Sequence, residues 1–125
     1  ETIGSIIYIN KHLDHLKKNV FCGINLSCVG DNISYSYLMS RKGNTFSDKV
    51  ANYLINQYYP STNKFSYLSR GSDERNYCWP GVDLPIISLM RTRYGDYKEY
   101  HTSDDNLEFI SPEALQGGYE KNLNL

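Results

Sequence analysis

The sequence predicts an α/β fold, a mostly parallel or mixed sheet flanked by helices, in a single domain over residues 1–125. Three stretches carry that reading. Between Val20 and Val29 the residues Val20, Cys22, Ile24, Leu26 and Cys28 fall on one face with the period of a strand. Over Ser47 to Gln57, Val50, Leu54 and Ile55 form an apolar stripe, with Tyr53 and Tyr58 beside it. Leu84 to Met90 is an apolar run of strand length, introduced by Pro85. Strand and helix patterns in alternation favour helices packed on a sheet.

In chain order, Gly4-Ser5 followed by Ile6-Ile7-Tyr8-Ile9 reads as a helix start with Ser5 as the N-cap, although the β-branched run also suits a strand. The helical pattern continues, with room for a break, through Leu13 and Leu16. Lys17-Lys18-Asn19 suit a helix C-terminus by charge and by the left-handed tolerance of Asn. The strand from Val20 ends in Gly30-Asp31-Asn32. Ile33 to Leu38 reads as a second short strand, an antiparallel departure joined to the first at Asp31-Asn32. Arg41 to Asn44 is a turn, and Thr45 or Ser47 caps the following helix. Phe65 to Leu68 is a further strand. Ser72-Asp73 suits the cap of a short helix carrying Glu74, Arg75 and Tyr77. Arg91 to Tyr100 is a polar, Tyr-rich connection suited to a pocket wall. Ser111-Pro112-Glu113 opens a last helix, running to about Leu123, with Ser at N-cap and Pro at N1.

Composition excludes several classes. A net charge of −1 and a pI near 6.3, without a basic run, argue against a nucleic-acid platform. No stretch approaches a membrane span and no signal peptide is visible. Cys22, Cys28 and Cys78 form no Cys-x-x-Cys pair. The first two, on one strand, stand roughly 20 Å apart, too far for a disulfide. Scattered, odd-numbered cysteines read as reduced thiols, and so as a cytoplasmic protein. The twelve tyrosines suit sheet surfaces and site walls alike.

The stretch with most chemistry is Tyr100-His101-Thr102-Ser103-Asp104-Asp105. Imidazole is the commonest metal ligand, and its second nitrogen needs an orienting acceptor, which Asp104 or Asp105 would supply after a tight turn. Taken alone, the segment reads first as a surface loop ending in a Ser-Asp-Asp cap. Asp31 stands at the carboxyl end of a strand, where ligands gather in open α/β sheets, or else is plain turn chemistry. His12 and His15 follow no ligand motif and read as solvated helix positions.

Two further stretches stand with this one. Glu1-Thr2-Ile3-Gly4-Ser5 lies at the start, and Arg70-Gly71-Ser72-Asp73-Glu74-Arg75 leads to Asp83-Leu84-Pro85-Ile86-Ile87. In this order the three resemble the C-terminal part of the di-zinc aminopeptidase, or zinc-exopeptidase, fold. The run Arg-Gly-Ser-Asp-Glu-Arg with a later Glu-Tyr-His-Thr-Ser is more similar still to a bacterial aminopeptidase-like family associated with polysaccharide biosynthesis. The resemblance favours helix over strand for Ile6 to Ile9. It implies a partial zinc-exopeptidase-like (phosphorylase/hydrolase-like) fold whose N-terminal part lies outside the chain.

The resemblance also implies a site. Asp31 and His101 become metal ligands for one or two zinc ions, and Glu1 becomes the general base. Asp73, Glu74, Arg75, Tyr100 and Asp104 become supporting or substrate-facing residues, with Asp73 paired to Arg75. Thr2 stands where the family carries a ligating Glu, and Glu74 where it carries a His. The implied substrate is a small peptide or an acylated amino-sugar. Pairing with the N-terminal part, or with a second copy, would complete the sheet. A rival reading keeps the fold as a non-catalytic module in which the Tyr-rich loop binds a sugar or peptide.

Overall fold

The computed structural model describes residues 2–69 and 71–123. A four-stranded mixed sheet has the order β1-β4-β2-β3, with β1 at Gly23–Leu26, β2 at Ser36–Leu38, β3 at Asn63–Phe65 and β4 at Ile86–Met90. β1 is parallel to β4, and β2 is parallel to β3. β2 and β4 run antiparallel, with Tyr37 opposite Leu89. The antiparallel departure is therefore real, but β1 and β2 do not pair directly. β4 lies between them.

Helices cover both faces. α1 (Ile3–Asn19) and the single-turn α3 (Glu74–Tyr77) lie on one side, where Ile9, Leu16 and Leu84 are buried with Tyr77, Val82 and Ile86 packed around them. α2 (Phe46–Tyr58) lies on the other, where Ala51 and Ile55 pack on Tyr37, Ile87 and Leu89. Side chains of Ile86 and Ile87 serve opposite faces, as the strand period requires. α4 (Pro112–Leu123) closes the chain. Its start is as predicted: Ala114 N–H donates to Ser111 Oγ at 3.1 Å.

Four local expectations change. Ser5 is not the cap of α1. The helix begins at Ile3, Thr2 occupies the N-cap without a side-chain hydrogen bond, and Ser5 is buried in the first turn. The helix then runs unbroken to Asn19, where Val20 N–H closes it on Leu16 O. The long strand from Val20 to Val29 shrinks to four residues, because the chain bends at Cys28, which turns to φ 48°. The strand expected over Phe65 to Leu68 ends at Phe65, and Tyr67–Ser69 form a 3-10 turn.

The alternation in β1 holds, yet Ile24 and Leu26 are 43% and 54% exposed. Register explains this. Ile24 pairs with Ile87 and Leu26 with Leu89, so both lie on the α2 face. α2 lies over β2 and β4 and meets the edge strand through its first turn, where Gly23 N–H donates to Ser47 Oγ at 3.1 Å, leaving Ile24 and Leu26 partly open.

Candidate functional site

A cleft of about 660 Å³ opens at the carboxyl ends of β1 and β4. Three segments supply its walls. The loop after β1 contributes Ser27 to Asp31, the turn before α3 contributes Ser72 and Asp73, and the long connection after β4 contributes Tyr97, Tyr100, His101, Asp105, Phe109 and Ile110. Thr2 and Leu115 complete it. Ligands gather at this end of the strands in α/β sheets, because loops diverge there and leave space.

The structure brings Asp31 and His101 into this one cleft. Their settings differ. Asp31 is buried, and both its carboxylate oxygens are engaged: Oδ1 accepts from Ile33 N–H at 3.0 Å and from Thr92 Oγ1–H at 2.5 Å, and Oδ2 accepts from Thr92 N–H at 3.0 Å. Arg91 Nε–H donates to the Asp31 carbonyl at 2.7 Å. The turn-forming role and the strand-end position thus coexist in one residue, which ties the loop after β1 to the end of β4. His101 is exposed, at φ 60°, with its ring stacked on Tyr100 at 3.9 Å.

The other candidates separate. Tyr100 lines the cleft. Asp73 does so too, and its Oδ1 accepts from Ser5 Oγ–H at 2.7 Å, so a first-turn residue of α1 braces a cleft carboxylate. Arg75 makes no ion pair with Asp73 among the described residues. Two residues along a helical turn are about 200° apart, and Arg75 instead lines a groove beside Ile6, Leu13 and Trp79. Glu74 is fully buried beneath the cleft, accepting from Asn25 Nδ2–H and Tyr94 O–H, each at 2.9 Å. That carboxylate and the burial of the ring hold the Tyr94 phenol well above its ordinary range, burial first. Asp104 sits on the exposed loop, and Asp105, not Asp104, lines the cleft. Glu1 lies outside the described residues. His12 and His15 are exposed on α1, the first against Tyr8 and the second beside Asn19.

Sequence reasoning missed Cys28 and Tyr97. Cys28 takes a left-handed backbone that a non-glycine residue adopts at a cost of order 1–3 kcal/mol, and its Sγ accepts from Tyr97 O–H at 3.3 Å. Burial, then this thiol, push the Tyr97 phenol far up, so it remains a donor at any working pH. Tyr97 stacks on Phe109 at 5.1 Å. The Tyr-rich loop was a signal for an aromatic wall. Nothing in the sequence marked which tyrosine would enter it or that Cys28 would bend the chain.

Zinc needs three or four donors within about 2.3 Å. No three His, Cys, Asp or Glu side chains gather to hold a metal among the described residues. His101 fits a ligand's role, with its ring at the cleft. Asp31 fits only through the lone pairs that Thr92 and Ile33 leave free.

The chain is 36% identical over 129 residues to a Clostridium acetobutylicum protein named "Putative polysaccharide biosynthesis protein with aminopeptidase-like domain", covering 100% of this chain and 28% of that relative. The crystal structure of a "putative peptidase" from Clostridium acetobutylicum superposes with a TM-score of 0.91 at 35% identity, over 99% of this chain and 29% of that one. Sheet, cleft and kinship together define an aminopeptidase-like α/β domain. Within that class the chain belongs to the family described as "Domain of unknown function (DUF4910)", whose profile matches residues 1–125. It spans less than a third of the length of either relative. No helix among the described residues is long and apolar enough to cross a membrane.

Proposed function

We propose that this domain is part of a zinc-dependent aminopeptidase-like hydrolase that cleaves an amide bond in a small peptide or an acylated amino-sugar. The observation that supports it is the cleft itself: His101, Asp73 and Asp105 face one space at the carboxyl ends of two parallel strands, with Asp31 in its wall. One or two zinc ions would supply an activated water and polarise the carbonyl. His101 is this chain's principal ligand to them, and Asp31 the second where its remaining lone pair reaches. Further ligands come from the rest of the intact protein. Glu1, by the motif it shares with the di-zinc enzymes, takes the proton from the attacking water. Tyr97, Phe109 and Ile110 form the apolar side of the cleft and exclude water from the scissile group.

A second reading rests on Thr2, which lines the cleft where the related enzymes carry a ligating Glu. Here the aromatic wall binds a sugar or peptide without turnover. Metal analysis of the intact protein separates the two. The hydrolase reading expects one or two zinc per chain, cleavage of amino-acid anilides or N-acyl sugars, and loss of both metal and turnover in His101→Ala. A metal-free, inactive protein that still binds oligosaccharides or peptides sinks it.

A further inference from the structure

α4 joins the cleft to a buried lysine. Leu115 on the helix, and Ile110 just before it, belong to the cleft wall. Less than two turns further on, Lys121 is only 3% exposed. Its Nζ–H donates to Thr62 Oγ1 at 3.0 Å and lies 4.1 Å from the centre of the Tyr35 ring and 5.2 Å from that of Tyr59. The charged group facing it from the sheet is Arg91, whose guanidinium carbon sits 4.0 Å from the same Tyr35 centroid. Arg91 in turn holds the Asp31 carbonyl at the cleft. No carboxylate among the described residues pairs with Lys121. A buried ammonium without an anion is costly, and rings plus one hydroxyl offset only part of that cost.

The helix has no slack in this seat. A Cβ on Gly118 would fall 2.9 Å from the Val29 carbonyl oxygen, and one on Gly117 would fall 2.7 Å from the Tyr35 hydroxyl. α4 therefore lies flush on the loop after β1 and on the ring that Lys121 covers.

We propose that Lys121 is a pH-sensitive latch on α4: uncharged, it seats the helix and holds Leu115 and Ile110 in the cleft wall, and when charged it loosens both. Burial first, and the Arg91 charge second, bring Lys121 from 10.5 down to about 7. The folded value lies below the unfolded one, so the contribution to stability is complete above the unfolded value. It shrinks as the pH falls, and is gone once the pH has passed below the folded value. The groups that face Lys121 from the packed elements are Arg91, Tyr35, Tyr59 and Thr62. This latch does not depend on the hydrolase reading.

The test uses the protein with 13Cε-labelled lysine and reads the Lys121 resonance against pH. Amide exchange in α4 is followed alongside, with α2 as the internal reference. A Lys121 midpoint near neutrality is expected. So is an opening equilibrium of α4 that rises about 30-fold from pH 8.5 to pH 5.5 after correction for chemical exchange, and stays flat in Lys121→Met. A Lys121 midpoint above about 10 overturns the latch, as does an α4 opening that ignores pH in the native protein. The same slope in Lys121→Met overturns it too, and the labelled native protein decides the question if that variant does not fold.

Discussion

A single carboxylate shows how one residue type serves two masters at the site. Asp31 has the strand-end position of a metal ligand and the hydrogen-bond pattern of a structural tie, with Thr92 gripping both of its oxygens. Replacing it by Asn separates the roles. The amide keeps one acceptor oxygen for Ile33 and Thr92 Oγ1, but its NH2 then meets Thr92 N–H, donor against donor. A buried donor left unsatisfied costs about 1–3 kcal/mol. Asp31→Asn is expected to lower the unfolding free energy by that amount, read from urea titrations, and to lower the zinc content of the intact protein less than His101→Ala does. Loss of zinc at unchanged stability would make Asp31 a ligand first. His101 presents the opposite case, since its ring is exposed and the sequence around it, Tyr-His-Thr-Ser, was legible without coordinates. Cys28 and Arg75 were not. A left-handed φ is set by how the chain closes around the cleft, and the side of a one-turn helix on which a residue lands depends on its first residue to within one position.

At the scale of elements, α2 is held by its first turn rather than by composition. Thr45 and Asp48 form a reciprocal cap, with Thr45 N–H donating to Asp48 Oδ2 at 2.9 Å. The same carboxylate accepts from Tyr37 O–H at 2.7 Å and from Ser40 N–H at 2.9 Å, so it fastens α2 to β2 and to the turn beyond it. Burial works to raise the Asp48 carboxyl, but the donors from Ser40, Thr45 and Tyr37 outweigh it and hold the group below its ordinary 3.8. Its folded value is thus depressed. The stability it contributes is present above pH 3.8 and is lost as the pH falls through the folded value. Asp48→Asn is therefore expected to lower stability at pH 7 by about 1–3 kcal/mol and to flatten the acid limb of the unfolding curve below about pH 4. Equal acid sensitivity in the two proteins, followed by thermal melts across that range, would place the acid-labile group elsewhere. The cap was readable in the sequence as Thr45 or Ser47. The choice between them required knowing that Asp48 also faces the sheet.

For the whole molecule, the α/β class, the helix pattern and the last helix were legible because burial imposes periods of 3.6 and 2 on the sequence. Sheet order was not, since strands of three to five residues carry little register information. Nothing local told β4 to insert between β1 and β2. The sequence expectation is that the N-terminal part of the protein, or a second copy, completes the sheet, and β1 is an edge where that can be tested. β1 is an edge without Pro, Lys or a bulge, the devices that usually blunt one. Beside it, Ile24, Leu26, Phe21 and Phe46 expose apolar surface, and the two phenylalanine rings meet at 5.7 Å. Ile24 is 43% exposed in this patch, beside the first turn of α2. As a 125-residue chain, the domain is expected to self-associate with rising concentration, seen as a growing sedimentation coefficient. Ile24→Lys should suppress that association, because a charge on an open edge face opposes sheet extension, and should leave the thermal midpoint within about 0.5 kcal/mol equivalent, as for an exposed position. A strictly monomeric native chain at high concentration, or association undiminished by the lysine, would show that this edge is not the surface the molecule uses to complete its sheet.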